Sequence, residues 1–104
     1  MSNAEFNRYV GSRVNAMGAE LERVAKEQPM QAGSRIVDIF VDAFRDGLAK
    51  NMTREDVVAT WNTIYDAYLS KIDIPGSMDA LLHGLIKTLG ASLIGRAYDR
   101  LVAE

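Results

Sequence analysis

The chain contains no cysteine and only two prolines in its 104 residues. Without cysteine it can form neither disulfides nor thiolate metal sites, and it has no thiol nucleophile. His83 is the only histidine, so there are few candidates for acid–base catalysis near neutral pH. The most apolar stretch, from Leu81 to Ile94, is broken by His83 and Lys87 and falls short of the ~20 apolar residues that a membrane span requires.

The chain carries no large excess of positive or negative charge. Twelve Lys and Arg face fourteen Asp and Glu, which gives a net charge of −2. Proteins that bind nucleic acids usually carry a basic excess or a basic stripe, so we expect no nucleic-acid partner. The polar N-terminal residues lack the apolar core of a signal peptide. Together with the missing cysteines, this favours a cytoplasmic protein.

Hydrophobic periodicity predicts an all-α fold in a single domain. Pro29 disfavours a helical conformation at the residue before it, Asn51 can end a helix in the left-handed conformation, and Thr53 and Ser77 are good N-caps. Short links favour antiparallel neighbours. The prediction is therefore a small antiparallel bundle of about four helices in the domain 1–104, at residues 4–28, 30–50, 54–72 and 77–103.

The first predicted helix carries small residues seven positions apart, beside a heptad seam of larger apolar residues. Glycine inside a helix costs about 1 kcal/mol relative to alanine, so two glycines on one ridge suggest close approach of another helix, or of a second copy across a two-fold axis. The alternative is coincidence in an alanine-rich segment. The ridge consists of Ala4, Gly11, Gly18, Ala25 and Ala32, and the seam of Val10, Val14, Met17, Leu21 and Val24.

The last predicted helix changes its apolar side near Gly90. Either the helix kinks there and keeps both sides on one core, or it is continuous and buries its second half against another surface. We favour the second interpretation because no proline enforces a break. The first-half set is Met78, Leu81, Leu82, Leu85, Ile86 and Leu89, and the second-half set is Ile94, Ala97, Tyr98, Leu101 and Val102.

Two groups of polar residues are candidates for a chemical site. Asp38, Asp42 and Asp46 are spaced four apart, which fits a solvated helix face or a docking stripe for a basic partner. Carboxylate metal sites in bundles use Glu-x-x-His pairs from facing helices, and none is present. His83 has Asp79 and Lys87 at helical spacing but no local nucleophile, so a surface histidine is the simpler interpretation.

The sequence therefore predicts a protein-interaction module that is not an enzyme and has no cofactor. We expect a homodimeric small bacterial or phage regulator or adaptor that binds and modulates a protein partner through exposed apolar helix surface. One alternative is a peripheral protein whose last helix lies on a membrane surface; the least favoured is a small helical enzyme using His83. The predicted interface residues are Gly11, Gly18, Ala25, Gly90, Ile94, Tyr98, Leu101 and Val102.

Overall fold

A computed structural model describes residues 2–76 and 78–103, with side chains from Ala4 onward, and these residues form helices and no strand. The prediction of an all-α helical bundle is thereby confirmed. The predicted cap Ser77 lies outside the described residues. The helices are α1 (Ser2–Ala16), α2 (Gly18–Glu27), α3 (Pro29–Arg45), α4 (Arg54–Ile64), which continues into a π-helical turn (Tyr65–Leu69), and α5 (Asp79–Leu101).

The first predicted helix is divided into α1 and α2 at Met17. The Met17 N–H bonds to the carbonyl of Val14, three residues back, at 3.0 Å, and its ψ of 6° is outside the α-helical range. The heptad seam nevertheless keeps one side toward the core. Its buried members are Val10, Val14, Leu21 and Val24.

The second predicted helix ends earlier than expected. Gly47 has a φ of +78°, a conformation that glycine adopts without steric cost. Its N–H bonds to the Phe44 carbonyl, and the Leu48 N–H bonds to the Ala43 carbonyl, both at 3.1 Å. This is the Schellman arrangement, so Gly47 and not Asn51 ends α3.

The start of α4 agrees with the sequence. Thr53 Oγ1 accepts a bond from the Asp56 N–H, and the Thr53 N–H donates to Asp56 Oδ2, each at 3.1 Å. The two bonds form a capping box. At its other end α4 widens into the π-helical turn, which directs Tyr65 and Leu69 into the core.

α5 packs against α3 and α4. Gly33 of α3 lies beside Ile86, and Phe44 meets Tyr98 ring to ring with centroids 6.1 Å apart, so α3 and α5 run parallel. α4 runs antiparallel to α5, because Tyr65 at its C-terminal end contacts His83 near the start of α5. The bundle thus contains a parallel pair of neighbours, α3 and α5, as well as the antiparallel pair α4 and α5.

A line of aromatic rings through the core sets the position of α5. Phe6, Phe40, Trp61 and Tyr65 follow one another with centroid distances of 5.6, 6.1 and 5.7 Å. The Trp61 ring lies on the backbone of Gly90, where a side chain would overlap it. α5 is continuous through this point, so Gly90 permits a close approach and does not break the helix.

Candidate docking surface

The outer side of α5 exposes a row of large apolar side chains, which we call the leucine row: Met78, Leu81, Leu85, Leu89 and Leu93. Leu81 is 61% exposed and Leu85 47% exposed. The four leucines are spaced four residues apart, so they follow one ridge of the helix. No helix within the described residues is long and apolar enough to cross a membrane.

The adjacent ridge of the same helix is buried. Ile86, Gly90 and Ile94 are buried, one position along the chain from Leu85, Leu89 and Leu93. Because Trp61 occupies the space above Gly90, this ridge must face α4 and the core. The leucine row is then left on the outer side of the bundle.

Arginines follow the leucine row toward the C-terminal end of α5. Arg96 and Arg100 are exposed there, and Arg45 reaches the same place from α3. Together they surround an apolar groove of about 420 Å³ between α3 and α5. The groove floor is formed by Val37, Val41, Leu93, Ala97 and Leu101.

The unpaired charges at the C-terminal end of this face are positive. Arg45 and Arg96 form no ion pair with a carboxylate in the described part of the chain. Several arginines elsewhere are paired, such as Arg35 with Glu20 and Arg54 with Asp99. Asp99 is the acidic residue nearest the groove on α5, and its bond to Arg54 occupies it.

The predicted interface on the second half of α5 lies largely inside the chain. Gly90 and Ile94 are buried, and the Tyr98 hydroxyl donates to the Met52 carbonyl. Val102 is half-buried, while Leu101 is 39% exposed at the groove. The expectation that the second half packs on another surface therefore requires correction: the exposed leucines belong mostly to the first half.

The small-residue ridge also differs from expectation. A Cβ on Gly11 would be 3.9 Å from Ile64 Cδ1, and one on Gly18 would meet nothing within 4 Å. Ala25 is buried, but neither glycine of this ridge serves a close helix contact within the chain. The close approaches are at Gly33, Gly90 and Gly95 instead, where a Cβ would lie against Ile86, Trp61 and Arg54.

The predicted aspartate stripe is a partly paired helix face. Asp42 forms an ion pair with Arg13 at 3.3 Å, and Asp38 and Asp46 are exposed. Within the described residues no three His, Asp or Glu side chains gather in a way that could hold a metal ion. A docking role for the stripe remains a prediction.

His83 is not the surface histidine that the sequence suggested, because its side chain is only 15% exposed. Its Nε2 lies 2.8 Å from the Ile72 carbonyl, and its Nδ1 lies 2.6 Å from the Tyr65 hydroxyl. A carbonyl only accepts, so Nε2 donates to Ile72, and in the neutral ring Nδ1 accepts from the Tyr65 hydroxyl. Asp79 Oδ1, at 3.5 Å from Nε2, completes the cluster.

This cluster joins three segments and does not line the main cavities. Those cavities lie between α3 and α5 and between α1 and α4. Both nitrogens of His83 are used inside the chain, which leaves neither free for a substrate. The arrangement fits a structural bond between α5, the π-helical turn and the following turn.

Tyr65 gives the cluster a measurable alkaline signature. Burial, with a smaller contribution from the charges of Asp66 and Asp79, raises its pKa to about 12. An unfolded tyrosine ionises near pH 10, so the stabilisation is complete below that pH and is lost as pH rises from about 10 toward 12. We expect the free energy of unfolding to fall by on the order of 2 kcal/mol across this interval.

The measurement combines urea unfolding with ultraviolet titration of tyrosinate. One of the four tyrosines should titrate last, and Tyr65→Phe should remove that late step. Ionisation of all four tyrosines together near pH 10 would contradict the assignment.

The leucine row was missed in the sequence because an exposed and a buried ridge of a helix look alike when both are apolar. The four-residue spacing of the leucines was visible, but not the side on which they lie.

Comparison with known proteins adds no assignment: no protein family, no curated protein and no solved structure matches this chain.

Proposed function

We propose that this protein is a non-catalytic interaction module, which binds and modulates a protein partner through the leucine row and the adjoining groove. The observation that supports the proposal is the exposure of five large apolar side chains on one side of α5. Large contiguous apolar patches are uncommon on monomeric soluble proteins and usually mark docking surfaces.

The shape of the face favours a protein over a lipid surface. Helices that lie on membranes carry cations along their whole polar edge, whereas Arg96 and Arg100 are confined to one end of the leucine row. Lys87, near its middle, is paired with Asp66 at 2.9 Å. A groove between two helices also fits a protruding side chain better than a flat bilayer.

Site-specific photo-crosslinking in the native host tests this proposal. A photoreactive amino acid at Leu85 should give covalent adducts with protein, whereas the same residue at exposed Ala59 of α4 should give few. The reason is that an apolar row must be covered by its partner for most of the time if it is a docking surface.

The charge variant Leu85→Glu gives the matching loss of function. Because Leu85 is already 47% exposed, we expect the free energy of unfolding of the monomer to change by less than about 1 kcal/mol. The adducts from a probe at Leu89 should fall by about tenfold, since a charge then lies in the apolar contact. The control Ala59→Glu should leave them unchanged. Equal adduct yields from Leu85 and Ala59 would refute the proposal, and lipid adducts in their place would favour the membrane alternative.

A further inference from the structure

We infer that the occupant of the leucine row is a second copy of this chain, with its α5 antiparallel to the first across a two-fold axis between Leu85 and Leu89. The inference rests on the proposed function and names the partner. In this arrangement Leu85 meets Leu89 of the other copy, and Leu81 meets Leu93.

The row has the symmetry that such an interface needs. A two-fold dimer places the same patch of both copies in contact, so the patch must complement itself. The leucines at 81, 85, 89 and 93 are evenly spaced about a midpoint, and reversal of the helix exchanges their positions. All four are exposed, so each can meet its counterpart without rearrangement of the core.

The same side of α5 also provides room for the opposing leucines. The ridge beside the row consists of Gly84, Thr88 and Ser92, all exposed, and a Cβ on Gly84 would meet nothing within 4 Å. A ridge of large side chains next to a ridge of small ones allows the backbones to approach and the leucines to interdigitate. The open space at Gly84, which the packing of the monomer does not explain, would thus hold a leucine of the second copy.

Charge selects the antiparallel orientation. The exposed Arg96 and Arg100 lie at the C-terminal end of the row, and the exposed Asp73 lies in the turn before α5. That turn is held against the start of α5 by a 2.7 Å bond from the Ile74 N–H to Asp79 Oδ1. Asp73 has no ion pair within the described residues.

Antiparallel packing brings the end of α5 that carries Arg96 and Arg100 in one copy toward the turn that carries Asp73 in the other, at both ends of the interface. Parallel packing would instead place arginine against arginine, which is unfavourable. Lys71 in the same turn offsets part of the attraction, so the charges choose the orientation while the leucines supply the affinity.

Cysteine crosslinking tests the geometry directly, because the natural chain has no cysteine. In the antiparallel dimer, residue 81 is about 18 Å from its own copy along the axis, at 1.5 Å per residue, which is far beyond disulfide reach. Leu81→Cys and Leu93→Cys alone should therefore stay uncrosslinked under mild oxidation. The double variant, or a mixture of the two single variants, should give a covalent dimer.

Charge reversal gives a second, independent test of orientation. Arg96→Glu with Arg100→Glu should weaken the dimer roughly tenfold in analytical ultracentrifugation, since like charges then face each other. Adding Asp73→Arg to the same chain should restore it. A parallel dimer would gain nothing from that third change.

The outcomes separate this inference from the proposed function. A strict monomer at tens of micromolar, or a covalent dimer of Leu81→Cys alone, overturns the antiparallel dimer. If the probe at Leu85 then crosslinks a different protein, the proposed function stands with another partner; if it crosslinks none, both fall. Dimers with the 81–93 crosslink and charge-reversal rescue support both.

Discussion

Replacing Gly90 with alanine should destabilise the protein by roughly 3 kcal/mol or more. A Cβ at this position would lie 2.6 Å from two atoms of the Trp61 ring and closer still to a third. Trp61 cannot retreat easily, because it is fully buried and its indole N–H donates to the Lys87 carbonyl at 2.9 Å. Overpacking of this kind usually costs 1–3 kcal/mol and sometimes more, well above the ~1 kcal/mol that alanine gains in a helix.

The matched control is Gly84→Ala in the same helix. Position 84 has open space around its Cβ, so the helix propensity of alanine should act alone and raise stability by roughly 0.5–1 kcal/mol. Urea unfolding of the monomer, at a concentration below any association, measures both effects. Similar changes in the two variants would show that Trp61 does not rest on Gly90.

Truncating Ile94 should cost far more than truncating its neighbour Leu93. Ile94 is 0% exposed and Leu93 is 49% exposed, although the two residues are adjacent and almost equally apolar. Removing a buried isoleucine to alanine leaves a cavity and typically costs 2–5 kcal/mol. We expect about 3 kcal/mol for Ile94→Ala and less than about 1 kcal/mol for Leu93→Ala.

The association behaviour should show the reverse order. Leu93→Ala should weaken the dimer, whereas Ile94→Ala should affect it only through the fold. Thermal unfolding and ultracentrifugation on both variants separate the two quantities. A larger loss of stability for Leu93→Ala would mean that α5 is rotated from the position described, with the leucine row facing the core.

The two glycine and two aliphatic variants bear on the same feature, the rotation of α5 about its own axis. The buried ridge and the leucine row are neighbours on one helix, and a rotation of about 100° would exchange them. Trp61 determines the choice, since its ring reaches the α5 backbone where the side chain is absent. The docking surface is therefore a consequence of how α4 packs.

Much of the secondary structure could be predicted from the sequence because it depends on local chemistry. Thr53 caps α4 as predicted, with Asp56 completing a capping box, and Pro29 begins α3. These features require contacts within a few residues. The seam of α1 and α2 was also evident, because its apolar spacing is that of a helix with one buried side.

The sequence by itself thus determined a helical domain, its principal helix starts and the absence of cysteine chemistry. Tertiary structure alone decided which side of α5 is buried. Both candidate ridges are apolar, so the two rotations of α5 differ in free energy only through its contacts with Trp61 and Gly33. It also decided the place of His83, whose partners Tyr65 and Ile72 are more than ten residues away. Such contacts depend on how helices pack, and one-dimensional periodicity carries no information about that.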